Sequence, residues 1–350
     1  MTQSLRKVFR GSDSRRKNSR IAPRLRPLRI SAITWDSHPM PAIFPGEVSY
    51  ITGAAAGIGR ALASRLVEQG GLVVIADING QGAAQFAAEL NAKAGNGSVV
   101  AISVKADTTI WEEQLAGFHA ATETFKRIDY VFANAGVAEH PWLQPFNAST
   151  ASERPFVKPD LSTTEINLKG QLYTAALALQ TFERQAPSSQ SGFRGKLIMT
   201  SSVFGFFPSR AMPMYAASKA GVVNFVRSAA QYYADKQITV NTGQPSVFMN
   251  SVPGTNGIFV PVAPNLIDTT IAPDVLFVPF REQNLLSDIN LVVDQFQKFW
   301  GDSTLNGQAL AISQENVWAH PPDNYMLAEN LPACDLISVE IFKLFGDSTP

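Results

Sequence analysis

From residue 47 onward the hydrophobic positions fall into two alternating spacings. Short unbroken apolar runs, Val48–Ile51 and Leu72–Ala76, have the length of strands buried on both faces. Further strand-like runs occupy 98–104, 129–132, 195–200 and 308–312. Between them the apolar residues recur at helical spacing over 60–67, 81–92, 110–125, about 162–185, 216–226 and 288–300. Strand and helix in regular alternation predict an α/β fold. The sheet is parallel and doubly wound, with helices on both faces, in a single domain spanning 45–315.

Two stretches stand outside this pattern. Residues 1–44 begin with ten Lys/Arg and one acidic residue in the first thirty positions, a net +9, and Pro23 and Pro27 interrupt any helix. They are expected to be a disordered basic tail or a presequence. The expected location is therefore cytoplasmic, or mitochondrial in the presequence case. Residues 316–350 form a C-terminal extension carrying Trp318, Tyr325 and Phe342, expected to cover a neighbouring subunit or the pocket.

Charge and composition narrow the classes. The 350 residues sum to zero net charge, but the tail's +9 leaves 19 basic against 28 acidic residues, a net −9, on the remainder. An acidic body gives no support to nucleic-acid binding. The single cysteine, Cys334, excludes an intrachain disulfide framework. The four histidines are scattered, so no metal site is expected. No run of eighteen apolar residues is present, so no membrane span is expected.

The candidate chemistry lies at strand ends. Val48–Ile51 leads into Thr52-Gly53-Ala-Ala-Ala-Gly57-Ile58-Gly59, with a helical segment after it. Glycines at a strand-to-helix turn let the backbone approach a phosphate, and the helix N-terminus offers N–H groups to a pyrophosphate. This is the Rossmann-type arrangement. Asp77 ends the second strand 18 residues after Gly59, where a carboxylate can accept from ribose hydroxyls and repel a 2′-phosphate. With Ala56 before Gly57 and no basic residue directly after Asp77, NAD is favoured over NADP. Asp107, followed by Thr108, is an adenine contact or a helix N-cap. Asn134-Ala135-Gly136 follows the fourth strand, and Asn167 lies in the long helix. Ser202 follows the strand 195–200, thirteen residues before Tyr215. Tyr215 and Lys219 are four apart on one helix face, where an ammonium favours the phenolate and tunes an acid–base group.

Taken together and in this order, these residues resemble the short-chain dehydrogenase/reductase family over roughly 47–312. Within it, the stretches 214–230 and 305–312 resemble the NAD-dependent group that includes 15-hydroxyprostaglandin dehydrogenase, and also fungal secondary-metabolite dehydrogenases such as hydroxyaverantin dehydrogenase. The resemblance implies that Tyr215 transfers a proton to or from the substrate oxygen. It implies that Lys219 lowers the tyrosine pKa and binds the nicotinamide ribose, that Ser202 hydrogen-bonds the substrate oxygen, and that Asn167 holds a water. Cofactor contacts are expected from Gly53, Gly57, Ile58, Gly59, Asp77, Asp107, Thr108, Asn134, Ala135, Gly136, Tyr215 and Lys219. A homodimer or homotetramer is also implied.

The chain departs from the family pattern after Asn241. Pro245-Ser246-Val-Phe248-Met-Asn250 replaces the usual Pro-Gly-x-Val/Ile-x-Thr that contacts the nicotinamide amide. Residues 252–285 are expected to form an apolar substrate lid. The favoured function is interconversion of a secondary alcohol and a ketone on a hydrophobic, secondary-metabolite-like molecule. The alternatives are an NADPH-dependent carbonyl reductase of the same fold and a nucleotide-binding scaffold that has lost turnover.

Overall fold

Strands β1 (Val48–Thr52), β4 (Tyr130–Ala133) and β5 (Gly195–Thr200) are buried at every position. Burial at every position, instead of alternate ones, follows from helices covering both faces of the sheet. The computed structural model describes residues 40–245 other than 96 and 146, then 278, 281–282, 286, 288–312 and 317–319. The expected tail, lid and C-terminal extension lie outside the described residues, apart from 40–44, 278, 281–282 and 317–319.

The sheet also contains β2 (Leu72–Asp77), β3 (Ala101–Lys105), β6 (Ile238–Pro245), β7 (Ala309–Ile312) and β8 (Val317–Ala319). Their order is β3-β2-β1-β4-β5-β6-β7-β8. The first seven strands pair in parallel, and β8 closes the edge antiparallel to β7. The doubly wound parallel sheet is as expected; the antiparallel edge strand was not foreseen, since three residues are too few to carry an alternation. Strand order reverses between β1 and β4, which opens a crevice at the carboxyl ends of these strands.

Successive strand residues face opposite sides of the sheet and feed two cores. Ile51 packs with Leu62 and Leu66 of α1 (Gly57–Glu68), Phe86 and Leu90 of α2 (Gly80–Ala94), and Val292 and Phe296 of α7 (Ile289–Gln297). Its neighbour Tyr50 packs with Phe118 of α3 (Trp111–Phe125), Phe182 of α5 (Gln171–Arg184), and Val222 and Val226 of α6 (Pro213–Tyr232). The long helix expected over 162–185 is not uniform. It starts as α4 (Ser162–Thr164), widens into a π turn over Glu165–Gly170, and continues as α5. The Gly170 carbonyl, at the end of the widened turn, accepts from buried Gln114 Nε2 on α3 at 3.0 Å.

Candidate active site

The crevice is built first from backbone. Gly53 and Gly57 have φ of +66° and +54°, the left-handed region that glycine enters without penalty. Gly59 admits no side chain, because a Cβ there would lie 2.4 Å from the Gly53 carbonyl and 2.8 Å from Asn134 Nδ2. The turn therefore delivers the first N–H groups of α1, including those of Gly57 and Ile58, which have no intrahelical acceptor. Asp77 is tied to the same turn: one carboxylate oxygen accepts from Ala55 N and the other from Asn79 N, both at 2.9 Å.

Asp107 differs from one of its two expected roles. Its Oδ1 accepts from Thr109 N and Thr109 Oγ1 at 2.8 Å, and the residue at the α3 N-cap is Ile110. Asp107 thus closes a turn on itself instead of capping the helix. Thr108 is buried beside Gly170.

Asn134 joins the ends of three strands. Its Nδ2 donates to Thr52 O at 3.0 Å, and its Oδ1 accepts from Thr200 Oγ1 at 3.1 Å. The Thr52 hydroxyl accepts from the N–H groups of Asn134 and Ala135 at 3.0 and 3.1 Å. Gly136 comes close to both Asn167 and Lys219, whose Oδ1 and Nζ would lie 3.1 and 3.5 Å from a Cβ there. The fourteen residues named from sequence are therefore set around the carboxyl ends of β1 to β5.

Ser202, Tyr215 and Lys219 meet past the end of β5. The Ser202 hydroxyl lies close enough to the Tyr215 hydroxyl to lower its pKa. Lys219 is buried, donates from Nζ to Thr200 O at 2.9 Å, and lies 5.5 Å from the centre of the Tyr215 ring. Burial pushes the lysine down to about 7. Burial also raises the Tyr215 phenol, partly offset by the Ser202 hydroxyl. The phenol is thus raised here, where the sequence led us to expect it lowered. The reason is that burial disfavours the charged phenolate. Asn167, in the π turn, is fully buried, and both ends of its amide engage Val137.

Two features escaped the sequence. Glu139, an ordinary acid in a polar loop, accepts from the backbone of Met214 and Tyr215. Lys105 stands in register with Asp77 on the neighbouring strand, its aliphatic stem over Gly80. Only the pairing of β2 with β3 brings it there. The altered segment 246–250 lies outside the described residues. Among the described residues no group of three or more His, Cys, Asp or Glu is arranged to hold a metal, and no helix is long and apolar enough to cross a membrane.

Comparison with known proteins bears on the family and the fold. A family profile described as short chain dehydrogenase matches residues 47–253. A short-chain dehydrogenase/reductase of Penicillium rubens, prx7, is 33% identical over 187 residues, covering 53% of this chain and 62% of that protein. The (-)-trans-carveol dehydrogenase of Rhodococcus erythropolis is 30% identical over 234 residues, covering 64% of this chain and 79% of that protein. The crystal structure of a short-chain type dehydrogenase/reductase from Mycobacterium marinum superposes with a TM-score of 0.60 at 20% identity, covering 77% of this chain and 95% of that one. Several of the matched fungal proteins are aligned over less than two thirds of their length.

Proposed function

Because the chain belongs to the short-chain dehydrogenase family, we propose that it interconverts a secondary alcohol and a ketone on an apolar substrate, with NAD(H) as the favoured cofactor. The observation that carries this reading is the meeting of Ser202, Tyr215 and Lys219 at the end of β5, beside a glycine turn that leaves no room for a Cβ at Gly59.

The residues present fit a dinucleotide. Gly57 and Ile58 would offer N–H groups to the pyrophosphate, and Asp77 would accept from the adenosine ribose. Asp107 and Thr108 would lie against the adenine, and Asn134, Ala135 and Gly136 along the path to the nicotinamide. Lys219 would hold the nicotinamide ribose. The nicotinamide ring, when bound, supplies the acceptor or donor of hydride. In the oxidative direction Ser202 would donate a hydrogen bond to the substrate oxygen, and Tyr215, once in its phenolate form, would take the hydroxyl proton as the carbon gives up hydride. The proton would then pass by way of the Lys219 amine towards solvent. Asn167, whose side-chain amide is bonded to both the N–H and the carbonyl of Val137, would hold a water on that proton route.

The apolar substrate is supported by a segment next to Ser202. Phe204 meets the Tyr215 ring edge-on at 6.4 Å, and Phe206 and Phe207 follow it in an edge-on pair of their own. The name of the carveol dehydrogenase points to a ring alcohol. The same family membership supports a homodimer or homotetramer.

A second reading, NADP(H), draws on one observation: Lys105 stands beside Asp77. Fluorescence titration of the full chain with NADH and NADPH separates the two. Tighter NADH binding, with the preference narrowed in Asp77→Ala, is the expected result. Far tighter NADPH binding would reverse the cofactor assignment. Binding of neither would bring forward the scaffold without turnover.

A further inference from the structure

The four residues after Gly136 bind both helices that carry the reacting groups. Val137 N donates to Asn167 Oδ1 at 2.8 Å, and Asn167 Nδ2 donates back to Val137 O at 2.9 Å. His140 N donates to Thr163 Oγ1 at 2.9 Å, and its Nδ1 lies 2.8 Å from Ser162 Oγ. Between these two anchors, the Glu139 carboxylate accepts from Met214 N at 3.2 Å and from Tyr215 N at 2.6 Å. The strap is thus fastened at both ends to the α4–π helix and at its middle to the first turn of α6.

The first turn of α6 depends on this contact. The residue at its N-cap is Met212, whose side chain makes no capping bond, and Pro213 follows without an N–H. Met214 and Tyr215 therefore carry the next N–H groups without intrahelical acceptors. Glu139 accepts from both, and its negative charge sits at the positive end of the helix. One of these two N–H groups is that of Tyr215 itself. The carboxylate fixes the stretch of backbone from which the phenol reaches towards Ser202.

We propose that Glu139 is a positioning residue: it holds the start of α6 in the register that aims Tyr215 at Ser202 and the substrate oxygen. This rests on the dehydrogenase reading above. The competing account is an ordinary helix cap that adds stability and nothing else. The two differ in kinetics, because a small misplacement of a reacting group costs rate far out of proportion to its cost in stability.

The test compares Glu139→Ala, Glu139→Gln and Tyr215→Phe in the full chain, using NAD and an alicyclic secondary alcohol. Glu139→Ala should lower kcat by about ten- to a hundredfold, with NADH affinity within about twofold and Tm within about 4 °C of the parent. Glu139→Gln keeps one acceptor oxygen and should recover part of the loss. A lowered Tm with unchanged kcat in Glu139→Ala would leave only a cap and overturn the proposal. Should the alanine variant not fold, a folded glutamine variant with the parent's kcat overturns it equally. Tyr215→Phe separates this from the broader reading. If it retains turnover, the dehydrogenase mechanism fails; if it is inactive while Glu139→Ala turns over normally, only the positioning role fails.

Discussion

Burial moves Tyr215 and Lys219 in opposite directions along the pH scale. The phenol rises above its usual value and the lysine falls to about 7. Both shifts favour the uncharged form, as expected where water is excluded. The Lys219 amine also donates to the Thr200 carbonyl, 2.9 Å away. Chemistry at Tyr215 therefore rests on contacts made with substrate and cofactor as much as on the lysine. Deleting the hydroxyl alone isolates its part. Tyr215→Phe should reduce turnover by about 10²–10⁴-fold, the range for loss of a general acid or base, and leave NADH affinity unchanged in fluorescence titration. The four-residue spacing of this pair was legible because a helix places i and i+4 on one face. The Glu139 contact was not, since it joins residues 76 apart.

The glycine turn shows how one element disciplines another. Gly59, in the first turn of α1, packs directly against the turn that follows β1, with Asn134 beside it. An added methyl meets Gly53 O, Asn134 Nδ2 and Ala54 Cα within 3 Å. Gly59→Ala should lower stability by about 1–3 kcal/mol, the usual cost of overpacking, read as a fall in Tm. It should also weaken NADH by at least about tenfold, since in the proposed function the displaced turn carries the N–H groups that would meet the pyrophosphate. An unchanged affinity would move cofactor binding away from this turn. The π turn at Glu165–Gly170 is the opposite case. Its residues have ordinary helical spacing, and the widening appears only where Gly170 packs on Thr108 and its carbonyl accepts from Gln114. A sequence period averages over such a turn.

At the scale of the whole molecule the sheet has two chemically different ends. The carboxyl ends of the strands carry the candidate site. The amino ends hold a buried polar group: Tyr130 donates to Glu47 at 2.7 Å, Asp129 accepts from Val48 N, and Lys196 donates to Ser303 O at 2.5 Å. Burial raises Glu47 and pushes Lys196 down to about 7, although Glu47 and Asp302 oppose the lysine's shift. An unfolded lysine stays protonated to about pH 10.4. Between about 7 and that value the unfolded chain binds more protons than the folded one, so stability rises with pH across the window. Tm should increase from pH 7 to 9, with Lys219 contributing in the same direction. Lys196→Met should make the rise shallower. An equal slope in the variant would mean that Lys196 stays charged in the folded protein over this range.

What the sequence by itself determined was local and periodic. The order of strands and helices, the glycine turn at 53–59, the acid ending β2 and the Tyr215–Lys219 spacing all follow from nearest-neighbour sterics and from periods of two and 3.6. What only the tertiary structure decided was which distant groups share a site. It set Lys105 beside Asp77 through strand register, joined Asn134 to Thr52 and Thr200, and brought Glu139 to the start of α6. It also added β8 at the sheet edge. These contacts depend on the packing of whole elements, and a polar side chain in a loop bears no periodic mark of the backbone it will meet.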